Sequence, residues 1–140
     1  MRPVELDNNY PPAGLPEIDR DHHRIDLELQ RLGAAVSLDS PDRAAEARGA
    51  LLDEVTVHFR HEERLMREIH YADLPKHQRA HASFVAGARR IPIRKSHTDP
   101  ILSSRFVHWA ARVEEWFRSH AMKEDFRLGR AVLAARARSQ

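Results

Sequence analysis

Apolar residues recur at steps of three and four along most of this chain, the spacing of a helix buried along one side. From Pro16 the first such stripe runs through Ile18, Ile25, Leu29, Leu32 and Val36. Asp39-Ser40-Pro41 then supplies a stop, a capping side chain and a proline suited to the first turn of the next helix. That second helix carries Leu51, Val55, Leu65, Met66 and Ile69, and is expected to end near His70-Tyr71. Leu74 and Pro75 open a third, continued by Phe84, Val85 and Ala88 as far as Ile91-Pro92. A polar loop, Arg94 to Thr98, leads to Asp99-Pro100, another cap-plus-proline start. The fourth stripe is Leu102, Phe106, Trp109, Val113, Trp116 and Phe117. No period-two strand, glycine-rich phosphate loop or internal repeat interrupts the pattern.

The expected fold is therefore all-α, an antiparallel up-down four-helix bundle in a single domain spanning residues 1–140. Residues 1–15, with Asn8-Asn9 and Pro11-Pro12, read as an extended arm, and the bundle occupies 16–126. The remainder, 127–140, is rich in arginine and reads as a short, basic, solvated helical tail.

Composition narrows the chemistry. There is no cysteine, so disulfides and thiolate ligation are both excluded, and any metal must be held by imidazole and carboxylate. Such donors suit iron, manganese or zinc. The 23 basic and 21 acidic residues nearly cancel, which argues against nucleic acid as a partner. No apolar run reaches membrane-spanning length, and a cytoplasmic location is the expectation. Ten histidines are the odd feature, and their positions decide what they mean.

Six ligand-type residues fall in register with the apolar stripes. His22 lies four after Ile18 and three before Ile25; its neighbour His23 is one step out of phase. His58 follows Val55 by three, and Glu62 follows His58 by four and precedes Leu65 by three. His77 follows Leu74 by three, His81 comes four later, and Phe84 three after that. His120 is four past Trp116. A buried carboxylate or imidazolium is costly unless paired, bonded or ligated, so this distribution over four helices points to a metal. His23, His61, His70, His97 and His108 read as exposed or capping residues, and Glu63 as solvated. Asp125, five residues after His120, is rotated off the stripe in a regular helix and reads as a surface residue unless a widened turn brings it inward.

The runs Ile18-Asp19-Arg20-Asp21-His22, His58 to Met66, His77-Gln78-Arg79-Ala80-His81 and Trp116-Phe117-Arg118-Ser119-His120 through Asp125 resemble the hemerythrin family, specifically its bacterial single-domain members. The shared pattern is one histidine, then HxxxE, HxxxH and HxxxxD, covering nearly the whole chain apart from arm and tail. The resemblance implies two iron ions bridged by Glu62, Asp125 and an oxo or hydroxo group. It implies that His77, His81 and His120 hold a coordinatively full iron, while His22 and His58 hold one with an open position. Trp116 and Ala121 then match positions that wall the oxygen pocket. The second is usually a bulky isoleucine in the family, so alanine predicts a roomier or wetter pocket. The tryptophan common near the family's N-terminus is missing, with Tyr10 the nearest aromatic.

The implied function is reversible dioxygen binding for storage, delivery or sensing, with azide, nitrite or nitric oxide as other small ligands. The alternative is a di-iron enzyme acting on peroxide or nitrogen oxides, or oxidising iron. Such sites are usually richer in carboxylates, so five histidines with two carboxylates favour binding. A structural zinc site normally closes with four ligands, fewer than are available here.

Overall fold

A computed structural model of the chain describes residues 13–139 and contains four long helices, a π-helical turn and a terminal helix. They are α1 (Pro16–Ser37), α2 (Pro41–Glu68), α3 (Leu74–Arg90), α4 (Ser104–His120), the π turn Ala121–Asp125, and α5 (Phe126–Arg138). The four long helices form the expected antiparallel bundle, α1 packing on α2 and α4, and α2 on α3. Most of the arm, including Tyr10, lies outside the described residues. No helix among the described residues is long and apolar enough to cross a membrane.

Local chemistry sets the helix ends. Pro41 occupies the first turn of α2, where its missing N–H costs nothing, and Ser40 Oγ accepts from Arg43 N at 3.3 Å. Helices α1 and α2 both stop in Schellman turns. Ser40 N donates to Ala35 O and Asp39 N to Val36 O; Tyr71 N donates to Met66 O and His70 N to Arg67 O. Asp39 and His70 take the left-handed position, with φ of 50° and 53°. The last carbonyls of α3 are capped from another helix, Arg48 donating to Ala88 O at 3.2 Å and Ile91 O at 2.5 Å.

Helix α4 begins later than the Asp99-Pro100 pair predicts. Asp99 instead closes its own turn by accepting from Ile101 N at 2.9 Å. Leu102 is buried in the connection, and Ser103 caps the helix by accepting from Phe106 N at 3.1 Å. Ser103 wins because its hydroxyl also donates to Pro92 O, and Leu102 N reaches Asp39 Oδ1 at 3.0 Å.

The interior has two apolar clusters. One, built on Ile25, Leu29, Leu32, Leu51, Val55, Phe59, Phe106, Val113 and Phe117, fills the half of the bundle near the α1–α2 and α3–α4 turns. The other contains Ala13, Leu15, Ile18, Leu65, Met66, Leu128 and Val132. Helix α5 is therefore not simply a solvated tail: its arginines face outward while Leu128, Gly129 and Val132 are buried. Each fully buried leucine or valine contributes about 1.5–3 kcal/mol, enough to dock a thirteen-residue helix.

Gly129 sits where α5 meets the chain entering α1, and a Cβ there would lie 2.2 Å from Ala13 O. Gly49, exposed on α2, has nothing within 4 Å of its Cβ direction. Gly129→Ala should destabilise the fold by about 1–3 kcal/mol through overpacking and lower the melting temperature. Gly49→Ala should stabilise it by about 0.5–1 kcal/mol of helix propensity and raise the melting temperature. Thermal melts followed by circular dichroism read both signs.

Candidate metal centre

Between the two apolar clusters lies a layer of buried polar side chains. Each replaces one step of an apolar stripe: His22 between Ile18 and Ile25, His58 and Glu62 between Val55 and Leu65, His81 below Phe84. Asp125 enters by another route. In a regular α-helix five residues turn about 500°, leaving Asp125 roughly 140° from His120. The π turn Ala121–Asp125 widens the spiral so that positions five apart lie over one another, and both Ala121 and Asp125 are buried. The surface position expected from periodicity is thus corrected by one widened turn.

The two carboxylates form the centre. Asp125 Oδ2 lies 2.5 Å from His22 Nε2 and 2.9 Å from His58 Nε2, and Asp125 Oδ1 lies 2.9 Å from His120 Nε2. Glu62 Oε1 lies 2.8 Å from His58 Nε2 and 3.2 Å from His120 Nε2, with Glu62 Oε2 3.2 Å from His81 Nε2. His58, Glu62, His120 and Asp125 each offer a donor atom within 4.8 Å of one another, close enough to share an ion. His22 joins through Asp125 Oδ2, which it shares with His58, and His81 through Glu62 Oε2. His77 is set apart: its Nε2 is 3.7 Å from Glu124 and it is half-buried at the edge of the layer. Trp116 stacks on His120 with ring centroids 4.9 Å apart and on Phe84 at 4.4 Å, one edge reaching solvent. Ala121 lies in the larger apolar cluster.

Burial alone pushes a carboxyl up and an imidazole down, and here mutual charge outweighs it. Burial lowers His120, and Asp125 and Glu62 more than offset this, raising it to about 10. His58 is raised well above its ordinary value, its burial outweighed by Glu62 and Asp125. Despite its own burial, Asp125 is held well below the ordinary carboxylate value by a hydrogen bond shared with Glu62 and by the charges of His120 and His58. Glu62, pushed up by burial and by Asp125, is brought below its ordinary value by His58 and His120. The centre is a knot of buried imidazole–carboxylate pairs.

That arrangement fits a metal. Imidazole Nε2 atoms from all four long helices turn toward carboxylate oxygens, where cations replace their protons without leaving the carboxylates unbalanced. Glu62 Oε2 and His81 Nε2 are buried, 3.2 Å apart, and make no hydrogen bond, as expected of atoms placed for an ion.

Three supporting residues depart from the sequence reading. Asp21 is buried, and its Oδ2 accepts from His58 Nδ1 at 3.2 Å and His61 Nδ1 at 2.7 Å. Burial raises the Asp21 carboxyl, and the hydrogen bonds from His58 and His61 bring it below its ordinary value. His61, expected to be exposed, is half-buried by this bond, and Glu63, expected to be solvated, is half-buried 3.3 Å from His81 Nδ1. The signal for two of them is present in the sequence. Asp21 is three after Ile18 and four before Ile25, and His61 is three after His58 and four before Leu65.

A family model for the hemerythrin HHE cation binding domain matches residues 13–132. The chain belongs to the hemerythrin family. It is 31% identical over 107 residues to a myohemerythrin from Riftia pachyptila, covering 76% of this chain and 81% of the relative. The crystal structure of a hemerythrin point mutant has the same fold, with a TM-score of 0.70, 22% identity and 89% of each chain covered. Family membership agrees with a cation-binding layer at the middle of the bundle.

Asp21 holds the far nitrogen of His58 and so fixes which nitrogen faces the carboxylates. Asp21→Asn should weaken ferrous-ion affinity about 10–100-fold, as loss of such supporting partners typically does. Equilibrium titration against a competing chelator measures it, and an unchanged affinity would mean that Asp21 serves only packing.

Proposed function

We propose that this chain binds dioxygen reversibly at a pair of iron ions held by His22, His58, Glu62, His77, His81, His120 and Asp125. The observation that carries the reading is the placement of the carboxylates. Asp125 is approached by His22, His58 and His120, and Glu62 by His58, His81 and His120. Two carboxylates, each flanked by imidazoles from several helices, suit bridging positions better than terminal ones. The likeness to a myohemerythrin supports iron and oxygen in particular.

A ferrous pair supplies the electrons that dioxygen takes up on binding and returns on release. The chain's own residues make such exchange reversible. Asp21 keeps His58 aimed at the centre. Phe59, stacked on His81 with centroids 3.8 Å apart, and Trp116, stacked on His120, hold two imidazoles between apolar faces. Phe117 and Ala121 close the apolar side, limiting the water and small anions that would promote irreversible oxidation. Azide, nitrite and nitric oxide are the small ligands expected to compete. A second reading, turnover of peroxide or nitrogen oxides or oxidation of iron, is favoured by the small side chain of Ala121 where the family usually carries isoleucine.

Admitting oxygen to the reduced, iron-loaded protein should produce a visible charge-transfer band that disappears when oxygen is removed. A band that never forms, together with catalysed loss of added peroxide, would favour the enzyme; loading with zinc alone would defeat both. Ala121→Ile should narrow the apolar side and slow oxidation of the oxygenated protein, followed as decay of that band. Decay no slower than the parent's would remove Ala121 from the account.

A further inference from the structure

The centre is not equally enclosed on all sides. His22, His58, Glu62 and Asp125 are at most 3% exposed. The His77 side chain is 13% exposed, and His77, His81 and His120 together form the floor of a cavity of about 330 Å³ that opens to solvent. Its rim carries Lys76, Lys123 and Arg127 together with Asp73 and Glu124, and Glu124 Oε2 lies 3.7 Å from His77 Nε2. His77 is also the one proposed ligand drawn away from the central carboxylates toward this opening. A route from solvent thus leads over a basic rim to a carboxylate, from the carboxylate to an imidazole, and from there to the buried donors.

We propose that this cavity is the port through which metal enters and leaves, and that the ion on His77, His81 and His120 is the exchangeable one of the pair. The inference rests on the two-ion reading above. It runs opposite to what coordination alone suggests, because the ion with the fuller ligand set is the one nearer the outside. Glu124 receives the cation and His77 carries it inward by swinging between Glu124 and the centre. The three basic residues outnumber Asp73 and Glu124 on the rim, so it suits iron handed over from, or taken up by, an anionic chelate. The ion on His22 and His58 is held by side chains at most 3% exposed, and leaves only after its neighbour.

The test is removal of ferrous iron from the fully loaded, oxygen-free protein by an excess of a sulfonated ferrous chelator. Release should occur in two phases of one ion each. Ala80 and Ser119 are exposed residues on the cavity wall, so Ala80→Phe with Ser119→Phe fills the port without touching a proposed ligand. The double variant should load the same number of ions and slow the fast phase about tenfold or more, the scale on which residues around a metal site act. Glu124→Gln should also slow the fast phase. Ala50→Phe, in the separate groove between α1 and α2, should change neither phase. Unchanged release from the filled variant, or an equal slowing in Ala50→Phe, would overturn the port. Release in a single phase from a two-ion protein would overturn the assignment of the labile ion. Loading with fewer than two ions would instead defeat the reading on which the proposal rests.

Discussion

Two carboxylates buried at the centre of an apolar bundle are the constraint on which the rest of this structure depends. Glu62 and Asp125 are 1% and 2% exposed, and each would be costly there alone. They are tolerated because imidazoles from every long helix converge on them, with the protonated form favoured at His58 and His120 and the ionised form at the acids. Such a layer is a weak source of stability, since buried ion pairs regain little more than their desolvation costs. Stability comes from the apolar clusters on either side, and the layer between them is maintained for what it binds.

The surrounding architecture follows from that division. The end of the bundle that carries the α1–α2 and α3–α4 turns is closed by the Schellman turn of α1, the Ser103 cap and the Arg48 bridge to α3. At the other end α5 continues α4 through the π turn and packs on α1 and α2, burying Leu128 and Val132 beneath the polar layer. Docking of α5 also fixes the π turn that precedes it, because Asp125 and Leu128 must both face inward from one continuous helix. The tail helps to hold the Asp125 carboxylate in place.

The bundle was legible in the sequence because a three-and-four period has one physical meaning, and the convergence of His22, His58, Glu62, His81 and His120, five of the six in-phase residues, was legible for the same reason. Asp125 was not, because periodicity assumes 3.6 residues per turn and the π turn departs from it just where the residue is needed. Only the HxxxxD resemblance placed it. Asp21 and His61 stand in phase but beside stronger candidates, His22 and Glu62, and each helix buries a face wide enough for both members of its pair. The Asp99-Pro100 start failed because a capping signal that is locally sound lost to Ser103, whose contacts with Pro92 and Phe106 are made only in the folded chain.

The account depends on Asp125 and Glu62 being shared between ions rather than serving as ordinary buried partners of histidine. The most direct measurement is the number of ferrous ions bound per chain by the parent and by Asp125→Asn, whose amide keeps the size of the side chain but not its charge. Two per chain in the parent, falling below two in the variant while helical content is retained, is the predicted result for a bridging carboxylate. A variant that still binds two ions with the parent's affinity would contradict it.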